Sequence, residues 1–256
     1  MILLSMIAEL NAVDTHSRTG RLLRFLLNRI PKSHVARVRG GVNKGRRWVV
    51  GTSIHRCWLG SYEADKQALL ERLVKPGMVV WDVGANAGFY TLAMSRLTGE
   101  TGHVYAFEPL ASNLQNLQRH VHLNQLANTT VVQTALGGMN GLCGFDTGIS
   151  HQKGFLSQAK TDYLVPCMTV DEFLRVRPEA RPGLLKIDVE GAESGVLEGA
   201  RQFLSEHHPI LLLALHGPDQ VKKCHQLLHE FGYSIAERSE DTAACGEEIL
   251  AIHQPA

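Results

Sequence analysis

Residues 79–93, VVWDVGANAGFYTLA, carry an apolar run that closes on Asp82 and Val83, a loop with glycines at 84 and 88, and then a second apolar segment. A short apolar run bounded by glycine reads as a buried β-strand, and the spacing over 89–97 reads as a helix. Strand, glycine turn and helix in that order form half of a βαβ unit. Such a unit commits the chain to parallel strand pairing, because a parallel neighbour is reached only through a long crossover.

The pattern recurs downstream. Residues 103–108 (HVYAFE) are expected as a second strand, and Leu110, Leu114, Leu117 and Val121 follow at helical spacing. A third strand is expected over 128–136 (NTTVVQTAL), and residues 137–168, rich in Gly, Ser and Asp, as a hairpin insertion or loop. TVDE at 169–172 has the form of a capping box, in which Thr169 caps a helix and Glu172 reaches back to the backbone. LLKIDV (184–189) and ILLLAL (210–215) are further strands, the latter apolar enough for burial on both faces. A helix over 218–231 and two last strands near 233–235 and 248–253 close the chain. The alternation implies an α/β, doubly wound open sheet.

Before this core, alternation and glycine turns over 35–60 suggest short antiparallel strands, and a helix is expected over 62–74. We therefore divide the chain into an N-terminal extension, 1–60, and a main domain, 61–256. The start, MILLSMIAEL, is too short to span a membrane and lacks a basic leader. RTGRLLRFLLNRIPK (18–32) is a basic amphipathic stretch that could lie on an anionic membrane surface or dock on the fold or a partner. At 256 residues with net charge +1 and 20% charged residues, the chain gives no electrostatic reason to expect nucleic acid as its partner. Five scattered cysteines, 57, 143, 167, 224 and 245, without a CxxC pair, suggest free thiols in a reducing, cytoplasmic setting.

In open α/β sheets, ligands bind beyond the carboxyl ends of the strands, where strand order reverses. Glycines at 84 and 88 let backbone approach a ligand there. A nicotinamide dinucleotide would call for G-x-G-x-x-G, whereas this loop reads G-x-x-x-G. Asp82 would also repel a pyrophosphate. S-adenosylmethionine has no phosphate and brings an ammonium and a sulfonium, which a carboxylate favours. Glu108, closing the second strand, can accept both ribose hydroxyl protons of either ligand.

Several stretches resemble the FkbM-type S-adenosylmethionine-dependent methyltransferases: VVWDVGANAGFYTL (79–92), VYAFEPLASNLQNLQRHVHLN (104–124), VVQTALGG (131–138), TVDEFL (169–174) and LLKIDVEGAESGVLEGA (184–200). The resemblance covers about 36–240. It implies a Rossmann-like class I methyltransferase fold, with a seven-stranded mixed sheet whose last strand is antiparallel. It also implies O-methylation of a hydroxyl on a sugar, glycan or other natural product. By the same resemblance Asp82, Gly84, Asn86 and Gly88 form the methionine-binding loop, Glu108 is the ribose ligand, and Ala135 and Leu136 lie beside the adenine. The chain departs from the family at Ala214, where a glutamate is often found, which removes a possible acidic contact.

Methyl transfer is an in-line displacement, so positioning supplies much of the catalysis. A neutral alcohol acceptor still needs a general base or a metal that lowers its pKa. Asp188 at the end of the fourth strand and His216 at the end of the fifth are the candidate bases. Alternatively, Asp188 pairs with Lys186, Glu190 and Glu193 cap the next helix, and His216 is a loop histidine. A Mg²⁺ site from Asp188, Glu190 and a nearby group is chemically open, although our reading assigns no metal ligands. Trp58, Tyr62 and Glu63 could fold over the cofactor or simply pack, and His207 and His208 read as a surface turn. The competing functions are a nicotinamide-dependent oxidoreductase and a non-catalytic module that binds a partner through its basic N-terminal helix.

Overall fold

The computed structural model describes residues 21, 25–146, 155–157, 163–241 and 246–254. Residues 18–20 and 22–24 of the amphipathic stretch 18–32 lie outside the described residues, as do Cys245 and residues 147–154 and 158–162 of the 137–168 insertion. Among the described residues no helix is long and apolar enough to cross a membrane.

β1 (Val35–Arg37) pairs antiparallel with β2 (Arg47–Val49), as the alternation predicts. A short helix, α1 (His55–Leu59), then precedes α2 (Ala64–Leu73). The first of these was read as strand, because its apolar residues Cys57 and Trp58 are adjacent rather than spaced by a turn. Strands and helices alternate from there: β3 (Val79–Val83), α3 (Phe89–Thr98), β4 (His103–Phe107), α4 (Ala111–Leu123) and β5 (Thr129–Val132). The predicted third strand breaks after Val132. Its end becomes β6 (Ala135–Leu136), which leaves the main sheet for a small one with β7 (Gly141–Asp146), β8 (Phe155–Ser157) and β9 (Leu164–Met168). α5 (Val170–Val176) follows, with Thr169 Oγ1 accepting from the Glu172 amide at 3.1 Å. The Glu172 side chain pairs with Arg175 at 2.7 Å.

The chain then returns to the main sheet as β10 (Leu184–Ile187), followed by α6 (Glu193–Glu198), α7 (Arg201–His207), β11 (Ile210–Leu215), α8 (Pro218–Glu230), β12 (Tyr233–Asp241) and β13 (Gly246–His253). The seven strands lie in the order β12-β13-β11-β10-β3-β4-β5. β13 runs antiparallel to both neighbours, β11 and β12, while the pairings among β11, β10, β3, β4 and β5 are parallel. The last two strands are longer than expected. Their charged stretches (Glu237 and Arg238 in the edge strand β12, Glu247 and Glu248 in β13 beside it) carry no apolar alternation to read.

Both faces of the sheet are covered. Leu185, Leu211, Leu213 and Trp81 join Val196, Phe203 and Leu228 in one buried cluster. Val80, Leu184 and Leu92 join Trp48, Trp58 and Val38 in the other, so residues 38–58 share a core with the strands. Full burial of each such side chain stabilises the fold by about 1.5–3 kcal/mol. Strand order reverses at β3, whose neighbours are β4 on one side and β10 on the other. The turns leaving β3, β4 and β10 line a crevice at the carboxyl ends of these strands.

Candidate active site

A cavity of about 430 Å³ occupies that crevice. Small-molecule sites commonly measure about 300–1,000 Å³. Gly84, Asn86, Glu108, Ala135, Leu136 and Asp188, six of the nine residues singled out in the sequence, line it. Asp82, Gly88 and His216 do not.

Glu108 lies at the end of β4 and is 4% exposed. Its Oε2 accepts from the Asn86 amide and its Oε1 from the Leu110 amide, both at 2.8 Å. The Asn113 side chain, also on the cavity wall, donates to the same carboxylate, so a ligand hydroxyl would share Glu108 with that amide. Burial pushes its pKa up to about 7, and the two backbone hydrogen bonds only partly offset this. Asn86 holds a left-handed φ of 49°, and that conformation aims its N–H at Glu108. His120 braces the same loop from α4. Its Nδ1 donates to the Ala87 carbonyl at 2.7 Å, its Nε2 accepts from the Val49 amide at 2.9 Å, and its ring stacks on Trp48. Desolvation holds its pKa down to about 4, so it is neutral.

The two loop glycines have different structural reasons. At Gly84 (φ 80°) an added Cβ would lie 1.9 Å from the Asp188 carbonyl oxygen, so this glycine lets the ends of β3 and β10 touch. Gly88 (φ 91°) precedes α3, and a Cβ there would press on Leu117 of α4. Asp82 lies beneath the cavity, fully buried, with Thr91 Oγ1 donating to it at 2.6 Å and Lys186 Nζ 3.3 Å away. The cation facing Asp82 is therefore a lysine of the neighbouring strand, a consequence of the Asp82–Lys186 register between β3 and β10.

Lys186 also lies 3.4 Å from Asp188 and above the Tyr90 ring, 4.8 Å from its centroid. Burial acts to lower its pKa, but Asp188 and Asp82 hold it above the usual lysine value. In return, Lys186 outweighs the burial of Asp188 and keeps that carboxyl below its usual range. Asp188 thus has the pairing with Lys186 that the two-residue spacing suggested, and its low pKa makes it a weak proton acceptor. Tyr90 donates to Glu63, which is also 2.9 Å from Lys66. Tyr62 lines the cavity together with Tyr90 of α3, whereas Trp58, from the same expected covering segment, packs in the core.

His216, just beyond β11, faces three carboxylates. Its Nε2 lies 3.8 Å from Asp188 and 3.5 Å from Glu190, and its Nδ1 lies 2.8 Å from Glu193. Burial lowers its pKa, but the Glu193 hydrogen bond and the surrounding charge raise it above 6.5 overall. Asp188, Glu190 and His216 can each offer one ligand atom within 4.8 Å of the others, so they could hold a divalent ion. Ala214, the departure noted in the sequence, is opposite Glu248 and lines a second cavity of about 200 Å³ that shares Tyr90 and Lys186 with the first.

A sheet of this order, with its cavity at the switch point and a buried acid closing the second central strand, defines the class I methyltransferase fold. The chain belongs to the FkbM methyltransferase family: the family model described as the methyltransferase FkbM domain matches residues 82–235. The hexuronic acid methyltransferase AglP of Haloferax volcanii is 27% identical over 172 residues, 66% of this chain and 68% of the relative. A ribosomal protein L11 methyltransferase of Caldanaerobacter subterraneus is 29% identical over 127 residues, and the match spans 49% of this chain but 35% of that relative. Among solved structures, the FkbM methyltransferase of Methylobacillus flagellatus KT superposes with a TM-score of 0.51 at 22% identity, over 69% of this chain and 43% of that one.

Proposed function

We propose that this protein is an S-adenosylmethionine-dependent O-methyltransferase whose acceptor is a hydroxyl on a sugar, glycan or similar small natural product. Glu108 carries the reading: a buried carboxylate on the cavity wall, tied to the glycine loop through Asn86 and placed where a carboxylate accepts from ribose hydroxyls. The residues of loop 84–87, with Ala135 and Leu136, would line the remainder of the donor site. When bound, the donor supplies an activated methyl group on a sulfonium.

The residues of the chain supply the rest. Asp188, kept ionised by Lys186, accepts a hydrogen bond from the acceptor hydroxyl and orients it. His216, its pKa raised by the carboxylates around it, lies behind the wall that Asp188 and Glu190 form and takes the proton through water. Asp82 acts indirectly by fixing Lys186 and Thr91. The aromatic walls at Tyr62, Phe89, Tyr90 and Phe107 exclude water. A sugar-type acceptor is favoured over a macromolecule because the match to AglP, whose name specifies a hexuronic acid, extends over two thirds of both chains.

The test is incubation with methyl-labelled S-adenosylmethionine and parallel panels of hexuronic acids, neutral sugars, phenols, ribosomal protein and RNA. Label transferred to a sugar hydroxyl supports the proposal. Label confined to the protein or RNA panel overturns the acceptor class, and binding of NAD in place of S-adenosylhomocysteine overturns the donor.

A further inference from the structure

We infer that Glu193 is a positioning residue: its carboxylate holds His216 in the one neutral tautomer that turns an unprotonated Nε2 toward Asp188, Glu190 and the cavity. The inference rests on the reading of His216 as the base. From its sequence position Glu193 reads as a helix-capping acid, being the first residue of α6. Its geometry is different. The side chain is completely buried, and Oε1 turns back to accept from the Gly191 amide at 2.9 Å and from His216 Nδ1 at 2.8 Å.

Oε1 already acts as an acceptor toward the Gly191 amide, and the same role in its 2.8 Å contact with the ring places the proton on Nδ1. Neutral His216 then has its lone pair at Nε2, 3.5 Å from Glu190 and 3.8 Å from Asp188. Those two carboxylates line the cavity, so the free nitrogen lies directly behind its wall. The backbone of Gly191 fixes Glu193 in turn, so the acid cannot swing away without losing a buried hydrogen bond.

The groups facing the imidazole are Asp188 and Glu190 from the turn after β10, Glu193 from α6, and Lys186 behind Asp188. From α8, Cys224 lies near Glu193, but burial pushes its thiol up to about 12, so it adds no charge. Asp188 and Glu190 add charge from the Nε2 side, where they would favour a proton. At 3.8 and 3.5 Å neither approaches as closely as Glu193 does at 2.8 Å, so the closer acid sets the tautomer. Glu193 alone among these acids does both.

Nitrogen-15 NMR of the full-length chain labelled at histidine tests this without an acceptor, with His216→Asn identifying the signal. In the native protein at high pH the neutral ring should show a protonated Nδ1 and a bare Nε2, with a titration midpoint above 6.5. Glu193→Gln keeps the shape and removes the charge; the midpoint should fall by about one pH unit and the second tautomer should appear. A protonated Nε2 in the neutral native ring overturns the inference even if the variant does not fold, and so does an unchanged midpoint and tautomer in a folded variant. Calorimetric titration with S-adenosylhomocysteine runs alongside: a native protein that fails to bind it defeats the methyltransferase reading, whatever the imidazole shows.

Discussion

The two rims of the cavity are built on opposite principles. At the β4 side, Glu108 and loop 84–87 are held by backbone amides, with His120 neutral behind them. At the β10–β11 side the structure is a set of charges, in which Lys186 lies between Asp82 and Asp188, and His216 among Asp188, Glu190 and Glu193. Backbone amides do not titrate, so they give a fixed frame suited to holding a ligand, with Glu108 as the titrating group set into it. Paired charges respond to protons and to one another, as acid–base work requires. Substitutions on the two rims should therefore separate binding from turnover.

The largest separation is expected at His216. His216→Asn should reduce turnover of the sugar acceptor found by the labelling screen about 10²- to 10⁴-fold. The dissociation constant for S-adenosylhomocysteine, measured by calorimetry, should stay within about threefold, because loss of a base leaves the donor frame intact. Near-normal turnover in this variant would remove His216 from the chemistry.

Next comes Lys186→Met, which strands two carboxylates around an apolar side chain. Breaking a buried pair in this way costs about 3–5 kcal/mol, readable as a shift in the urea midpoint. Adding Asp82→Asn should restore part of the loss, since the deeper charge is then gone. A double variant no more stable than Lys186→Met would mean that the Asp82–Lys186 contact contributes nothing to the charged rim.

On the amide-held rim, Glu108→Gln should weaken S-adenosylhomocysteine binding about 10- to 100-fold, the scale of charge-assisted hydrogen bonds. A smaller, pH-dependent effect accompanies it. Free Glu108 has its pKa raised to about 7, whereas two donated hydroxyls would favour the charged form. Binding should then release a proton, and affinity should rise about tenfold between pH 6 and pH 8. Calorimetry in buffers of different ionisation enthalpy would show this release, and Glu108→Gln should abolish it. The folded, ligand-free protein binds more protons here than the unfolded chain between about 4.5 and 7, so this group's contribution to stability falls as pH rises through that window.

The same contrast decides what could be read from the sequence. The amide-held rim was legible because each part is local: a strand end, a glycine loop, an acid closing the next strand. The doubly wound class followed from the alternation of strands with helices, and the apolar run 210–215 marked a buried strand. The charged rim was only half legible. Two-residue spacing put Lys186 beside Asp188, but nothing local indicates that strand register brings Lys186 to Asp82 as well. Glu193 and His216 are 23 residues apart, and a glutamate at a helix start is usually a cap. His120 was invisible for the same reason: its partners, Val49 and Ala87, are 71 and 33 residues away. The division of the expected third strand between two sheets at 133–134 depends on pairing with β9, which a single strand does not reveal.

The central claim is that a methyl donor lies on the amide-held rim with its acceptor chemistry on the charged one, and a crystal structure with S-adenosylhomocysteine tests it most directly. The expected complex has both ribose hydroxyls on Glu108, the adenine beside Ala135 and Leu136, and the sulfur directed toward Asp188. An adenosine lodged in the smaller cavity along Ala214 and Leu250, or a ribose out of reach of Glu108, would contradict it.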